Sequence, residues 1–89
     1  MTLKKRILVV DDEADFCSVL RSNLEKQGFE VEVAYDGEEC LLKVKNNPPD
    51  AIILDIVMPE KDGNAVCKAI RSDKRLAAIP IVMLTAAAS

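Results

Sequence analysis

The amino-acid sequence predicts a single α/β domain built on a doubly wound parallel sheet. Three observations carry this. Two short apolar runs, Ile7–Val10 and Ala51–Leu54, are unbroken by polar residues, the pattern of strands buried on both faces. Each run ends in aspartate, Asp11-Asp12 and Asp55. Between strand-like segments lie stretches with helical spacing of apolar residues, joined by short connections. The order βαβαβαβ that results implies parallel crossovers.

The elements follow in chain order. Ile7–Val10 is the first strand. From Glu13 to Gln27 the spacing of Phe16, Val19, Leu20 and Leu24 predicts a helix, with acids in its first turn and Gly28 placed to end it. Glu30 to Tyr35 alternates Val31, Val33 and Tyr35 with Glu30 and Glu32, predicting a strand at a sheet edge with one face partly wet. Asp36-Gly37-Glu38-Glu39 has the spacing of a capping box and opens a helix through Lys45, with Cys40, Leu41 and Val44 inward. Asn46–Pro49 stops that helix and leads to the strand ending at Asp55. After a loop from Met58 to Gly63, Asn64–Arg71 reads as a third helix with Val66, Ala69 and Ile70 inward. Ile79–Leu84 is the fourth strand, Pro80 being tolerable near its start, and Thr85 closes it.

Composition sets the class. With 89 residues, 49% hydrophobic and 30% charged, the chain is one globular domain able to bury a core. A net charge of −3 gives no support for direct nucleic-acid contact. Cys17, Cys40 and Cys67 lack metal or redox spacing and read as small buried or half-buried hydrophobes in a reducing compartment. Met1–Arg6 runs directly into a strand and no apolar run reaches membrane-spanning length, so neither signal peptide nor membrane span is expected. The expected location is the cytoplasm.

Asp11, Asp12 and Asp55 all stand at the carboxyl ends of buried strands, where open parallel sheets bind ligands. Taken singly, an aspartate after a strand is a turn former or helix cap. Should the first and third strands be neighbours, however, the three acids converge, and like charges that close repel unless a cation joins them. Oxygen ligands, with no histidine in the chain, point to Mg²⁺, with Mn²⁺ or Ca²⁺ as competitors. One carboxylate is then free to act as a nucleophile toward phosphorus. Thr85 is positioned to donate its hydroxyl to the transferred group.

Val9-Val10-Asp11-Asp12-Glu13, Leu54-Asp55-Ile56-Val57-Met58-Pro59 with Asp62-Gly63, and Val82-Met83-Leu84-Thr85-Ala86 together resemble the receiver domain of bacterial two-component response regulators, the CheY-like proteins. The resemblance covers the whole chain, residues 1–89. It implies a flavodoxin-like fold with strand order 2-1-3-4 for the part present. It implies Asp55 as phosphoacceptor, Asp12 as direct Mg²⁺ ligand, Asp11 as a ligand acting largely through water, and the Val57 carbonyl as backbone ligand. Thr85 corresponds to the switch hydroxyl and Ala86 to a small residue leaving the pocket accessible. The implied partner is a sensor histidine kinase, and the only implied chemistry is self-phosphorylation and self-dephosphorylation, so the chain is not expected to be an enzyme in its own right.

Receivers of this kind continue for roughly 30 residues more. The chain is therefore expected to lack a final helix-strand-helix, and with it a phosphate-pairing lysine that Lys61 does not replace. This predicts weak or absent phosphorylation, an uncovered face on the first and third strands, and an open apolar edge at Ile79–Leu84. Such an edge invites a homodimer or domain swap. The alternative function is a dimerising or structural half-domain without phosphotransfer. Val57 and Ala87 offer no polar side chain to orient a hydrolytic water, which predicts a slowly decaying phosphoprotein. Two other classes fit less well. A flavin module needs a phosphate cradle where Asp11-Asp12-Glu13 would repel phosphate, and an Asp-based phosphohydrolase wants an acid where Val57 stands.

Overall fold

A computed structural model describes residues 4–55 and 63–84. Its elements are β1 (Arg6–Val10), α1 (Ala14–Lys26), β2 (Glu30–Ala34), α2 (Gly37–Asn46), β3 (Ala51–Asp55), α3 (Gly63–Arg71) and β4 (Ile81–Leu84). All strand pairs are parallel and the sheet runs β2-β1-β3-β4. The predicted edge position of β2 and the adjacency of β1 and β3 both hold.

The alternation of side chains along parallel strands divides the core in two. Leu8, Val10, Ala34, Ile52 and Leu54 face Cys40 and Val44 of α2 and Val66 and Ile70 of α3, with Leu76 closing that layer. Ile7, Val9 and Val31 face Cys17, with Leu20, Leu24, Phe29 and Ile53 packed around them. Burying a Leu, Ile or Val side chain contributes about 1.5–3 kcal/mol, so both layers matter to a domain of this size.

Local signals account for the helix ends. Gly28, at φ +96°, ends α1 in a left-handed turn. Its N–H donates to the Glu25 carbonyl and that of Phe29 donates to Leu24, the Schellman pattern, with Phe29 and Leu24 in the same apolar layer. Asp36 Oδ1 accepts from the Glu39 N–H at 2.8 Å and caps α2. The Glu39 side chain reaches one residue further back than a capping box would place it and accepts the Tyr35 N–H at 2.8 Å.

Three expectations need correction, and one buried residue has no counterpart among them. In α1 the buried residue is Cys17, whereas Phe16 and Val19 are exposed at 41% and 62%. The inward stripe is Cys17-Leu20-Leu24, one residue out of phase with Phe16 and Val19, because α1 must lay its narrow face over β1 and β2. The fourth strand starts at Ile81, not Ile79. Ile79 is still in a turn, its N–H donating to the Leu76 carbonyl, and Arg71 donates to the carbonyls of Ala77 and Ile79 at 2.6 and 2.7 Å. The first strand is not uncovered: α1 shields Ile7 and Val9, and Leu8 and Val10 are buried on the other side. Among the described residues the α1 side of the sheet is less covered at β3 and β4, where Ala51 and Ile53 are half-buried and Val82 is exposed. Finally, Leu76 is a buried anchor that no regular period announced. The cysteines stand as expected, Cys17 and Cys40 buried and Cys67 half-buried, all free thiols.

Candidate functional site

Parallel pairing of β1 with β3 sets Val10 beside Leu54, so the next residues, Asp11 and Asp55, leave adjacent strands at the same level. One carboxylate oxygen from each of Asp11, Asp12 and Asp55 can be chosen such that all lie within 4.8 Å of one another. Residues more than forty positions apart thus share one end of the sheet. Asp11 is buried, Asp12 exposed and Asp55 half-buried.

Asp11 is held at several atoms. Its N–H extends the ladder by donating to the Ala34 carbonyl at 3.1 Å. Its Oδ1 accepts the Glu13 N–H at 2.9 Å, the turn that launches α1. Its own carbonyl accepts the Cys17 thiol at 3.5 Å. Burial pushes the Asp11 carboxyl above the ordinary aspartate range; the Glu13 N–H opposes this, and the charges of Asp55 and Asp12 add to it. Burial, and then the Asp11 charge, push the Cys17 thiol up as well. Sequence reasoning missed Cys17 beneath this turn. Its spacing to Leu20 and Leu24 was visible, but the larger Phe16 and Val19 outweighed it.

The donor set is all oxygen, and its span suits a hard divalent cation. Mg²⁺–oxygen bonds of about 2.0–2.1 Å place opposite ligands about 4.2 Å apart, and Ca²⁺ bonds reach somewhat further. Carboxylates so arranged repel one another without a cation, and the charges of Asp55 and Asp12 add to the burial that raises the Asp11 carboxyl. Two other expected site residues, Val57 and Thr85, lie outside the described residues, as do Ala86, Ala87 and Lys61.

Residues 7–89 match the model of the response regulator receiver domain. The chain belongs to this family. Its sequence is 48% identical over 84 residues to the alkaline phosphatase synthesis transcriptional regulatory protein PhoP of Bacillus subtilis, a match covering 94% of this chain and 34% of that protein. It is 46% identical over 83 residues to the probable transcriptional regulator ycf27 of Guillardia theta, covering 93% and 32%. This receiver therefore spans about a third of the length of the curated relatives it matches. Among solved structures, it is similar to the chemotaxis response regulator CheY4 of Vibrio cholerae, with a TM-score of 0.92, 36% identity and coverage of 98% and 72% of the two chains. It is also similar to the N-terminal domain of a response regulator receiver protein from Methanoculleus marisnigri, with a TM-score of 0.89, 40% identity and coverage of 92% and 67%. The receiver's flavodoxin-like, CheY-like fold, in the order 2-1-3-4, is the one expected.

Proposed function

We propose that this receiver takes a phosphoryl group onto Asp55 from a sensor histidine kinase, as the phosphoacceptor module of a two-component response regulator. The convergence of Asp11, Asp12 and Asp55 within 4.8 Å carries the reading. Asp55 closes β3, the strand between β1 and β4, and is half-buried. In the transfer, an Asp55 oxygen forms a bond to phosphorus as the phosphorus–nitrogen bond of the donor breaks, and the departing imidazole keeps that electron pair.

Asp11, Asp12 and Asp55 suit Mg²⁺, with the Val57 carbonyl as a fourth ligand taken from the resemblance. When bound, the ion neutralises the acids and the phosphoryl oxygens. Asp12, exposed, is assigned direct contact, and Asp11, tied by the α1 turn, contact through water. The register that sets Leu84 beside Asp55 supports Thr85 as the switch hydroxyl that follows it. No helix among the described residues is long and apolar enough to cross a membrane, and we assign the chain to the cytoplasm. Its partner in this reading is the kinase.

The test combines Mg²⁺ titration by amide chemical shift with intact mass after incubation with acetyl phosphate and Mg²⁺. Shifts centred on Asp11, Asp12 and Asp55, with a slow gain of one phosphoryl group that Asp55→Asn abolishes, are the expected result. A gain retained in Asp55→Asn would remove Asp55 from its role. Mg²⁺ binding with no phosphoryl gain would favour a dimerising half-domain without phosphotransfer, a second reading supported by the half-open face at Ile53 and the exposed Val82.

A further inference from the structure

We propose that Glu39 and Lys43 of α2 are positioning residues for the cation site, acting on Asp11 through the end of β2. The inference rests on the reading of Asp11 as a ligand of a divalent cation, and it reaches residues outside the acid cluster itself.

Asp11 is held to β2 through its main chain. Its N–H donates to the Ala34 carbonyl at 3.1 Å, continuing the β1–β2 ladder past Val10. In a parallel ladder a residue turns both of its backbone groups toward the same neighbour. Ala34 faces β1, so Val33 and Tyr35 on either side of it face outward from β2, which lies at the edge of the sheet. The end of an edge strand is where local opening is easiest. Any movement of the Ala34 carbonyl there carries Asp11 with it.

Side chains of α2 take up the outward groups. The Lys43 ammonium donates to the Val33 carbonyl at 2.6 Å, and Glu39 Oε1 accepts the Tyr35 N–H at 2.8 Å. The other Glu39 oxygen pairs with the Lys43 ammonium at 3.3 Å, one turn along the helix. Each of these bonds has an ionised member and is stronger than a neutral one. They bracket Ala34, one on the residue before it and one on the residue after. The helix that carries them is itself fixed. Asp36 caps it through the Glu39 N–H, and Cys40 and Val44, both fully buried, share an apolar layer with Ala34. Contact thus runs from α2 to Val33 and Tyr35, then to the Ala34 carbonyl and the Asp11 N–H. Beyond that bond the Asp11 carboxylate, tied at Oδ1 to the Glu13 N–H, meets those of Asp12 and Asp55.

Lys43 separates this role from simple electrostatics. Removing an ammonium from the protein favours a divalent cation by charge, whereas removing a clamp on its ligand disfavours it. The two effects differ in sign.

The test reads Mg²⁺ affinity by amide chemical shift, and hydrogen exchange of the Asp11 N–H in the absence of cation. Outer partners of a metal ligand are worth about 10–100-fold in affinity, and Glu39 and Lys43 lie further out, so Lys43→Met and Glu39→Ala are each expected to weaken Mg²⁺ about threefold to tenfold. Exchange at Asp11 should quicken at least about tenfold relative to Glu30, whose N–H donates to Lys5 at the far end of the same strand pair. A loss of overall stability would speed both amides alike. Lys43→Arg and Glu39→Gln keep a donor and an acceptor and should stay within about twofold of wild type. Glu38→Ala removes the same charge from the same turn, at an exposed residue, and should leave the Asp11 amide unmoved. Urea unfolding shows which variants are folded, and either Lys43→Met or Glu39→Ala decides alone if the other is not. A Lys43→Met variant that binds Mg²⁺ as tightly as wild type, or more tightly, overturns the proposal. So does Glu39→Ala binding no more weakly than Glu38→Ala, or an Asp11 amide that gains nothing on Glu30 in either variant. A wild type that binds no Mg²⁺ removes the cation reading, and the Asp11 amide then decides by itself whether the clamp exists.

Discussion

Asp11 carries the conflict between folding and function in this receiver. Its carboxyl is buried, and Asp55 and Asp12 lie close enough to oppose its ionisation. A carboxyl raised in the folded state contributes stability that is present at low pH and lost as pH rises through its folded pKa. At neutral pH, Asp11→Asn is therefore expected to stabilise the cation-free protein by about 1 kcal/mol while weakening divalent-cation binding. Urea unfolding with and without Mg²⁺ checks both halves; a variant less stable in the absence of cation would contradict the first. Cys40 gives a second pH dependence with the same sign. Burial holds its thiol up at about 12, against about 8.5 in an unfolded chain. Its contribution is complete below about pH 8.5 and declines from there to about 12 as the unfolded state ionises first. The stability gap between wild type and Cys40→Ala should accordingly narrow across that window. At neutral pH, thiol reagents should label Cys67 first and reach Cys17 and Cys40 only on unfolding.

At the scale of the element, the reading from sequence succeeded wherever a short-range signal had a short-range cause. Gly28 supplies the left-handed turn that α1 needs, and no neighbouring atom would meet an added Cβ within 4 Å. Gly28→Ala is thus expected to cost about 1–2 kcal/mol, from backbone strain alone. Asp36→Ala should cost about 1 kcal/mol by removing the α2 cap. Both appear as shifts of the urea midpoint with an unchanged slope. The segment between α3 and β4 was not legible, because what orders it is not periodic. Leu76 is buried from a turn, Asp73 accepts the Arg75 N–H at 2.9 Å, and Arg71 reaches forward to the carbonyls of Ala77 and Ile79. Apolar Ile79 and Pro80 therefore looked like strand when they are its approach. Leu76→Ala should cost about 2–5 kcal/mol, more than any single change in the visible stripe of α1. The phase of α1 was misread for a related reason: a helix over only two strands buries few residues, and small Cys17 took the position that bulk assigned to Phe16 and Val19.

Taken as a whole, the molecule has its site where topology brings two strand ends together, and that much could be foreseen. Acids after two apolar runs converge only if those strands are neighbours, the order that the resemblance to receivers implied, and β1 and β3 do pair. What could not be foreseen was the cover. The expectation of a bare face on both central strands failed for β1, whose Ile7 and Val9 are shielded by α1, while Ala51 and Ile53 of β3 are half-buried. Amide hydrogen exchange should reflect this gradient, slowest in β1 and fastest within the sheet at Ile81 and Met83. Equal protection of β1 and β4 in dilute solution would count against it. The Glu39–Lys43 pair on α2 has a consequence at a larger scale still. Another strand could add at β2 only by first displacing both side chains from the backbone, so that rim offers no ready template to a stray polypeptide.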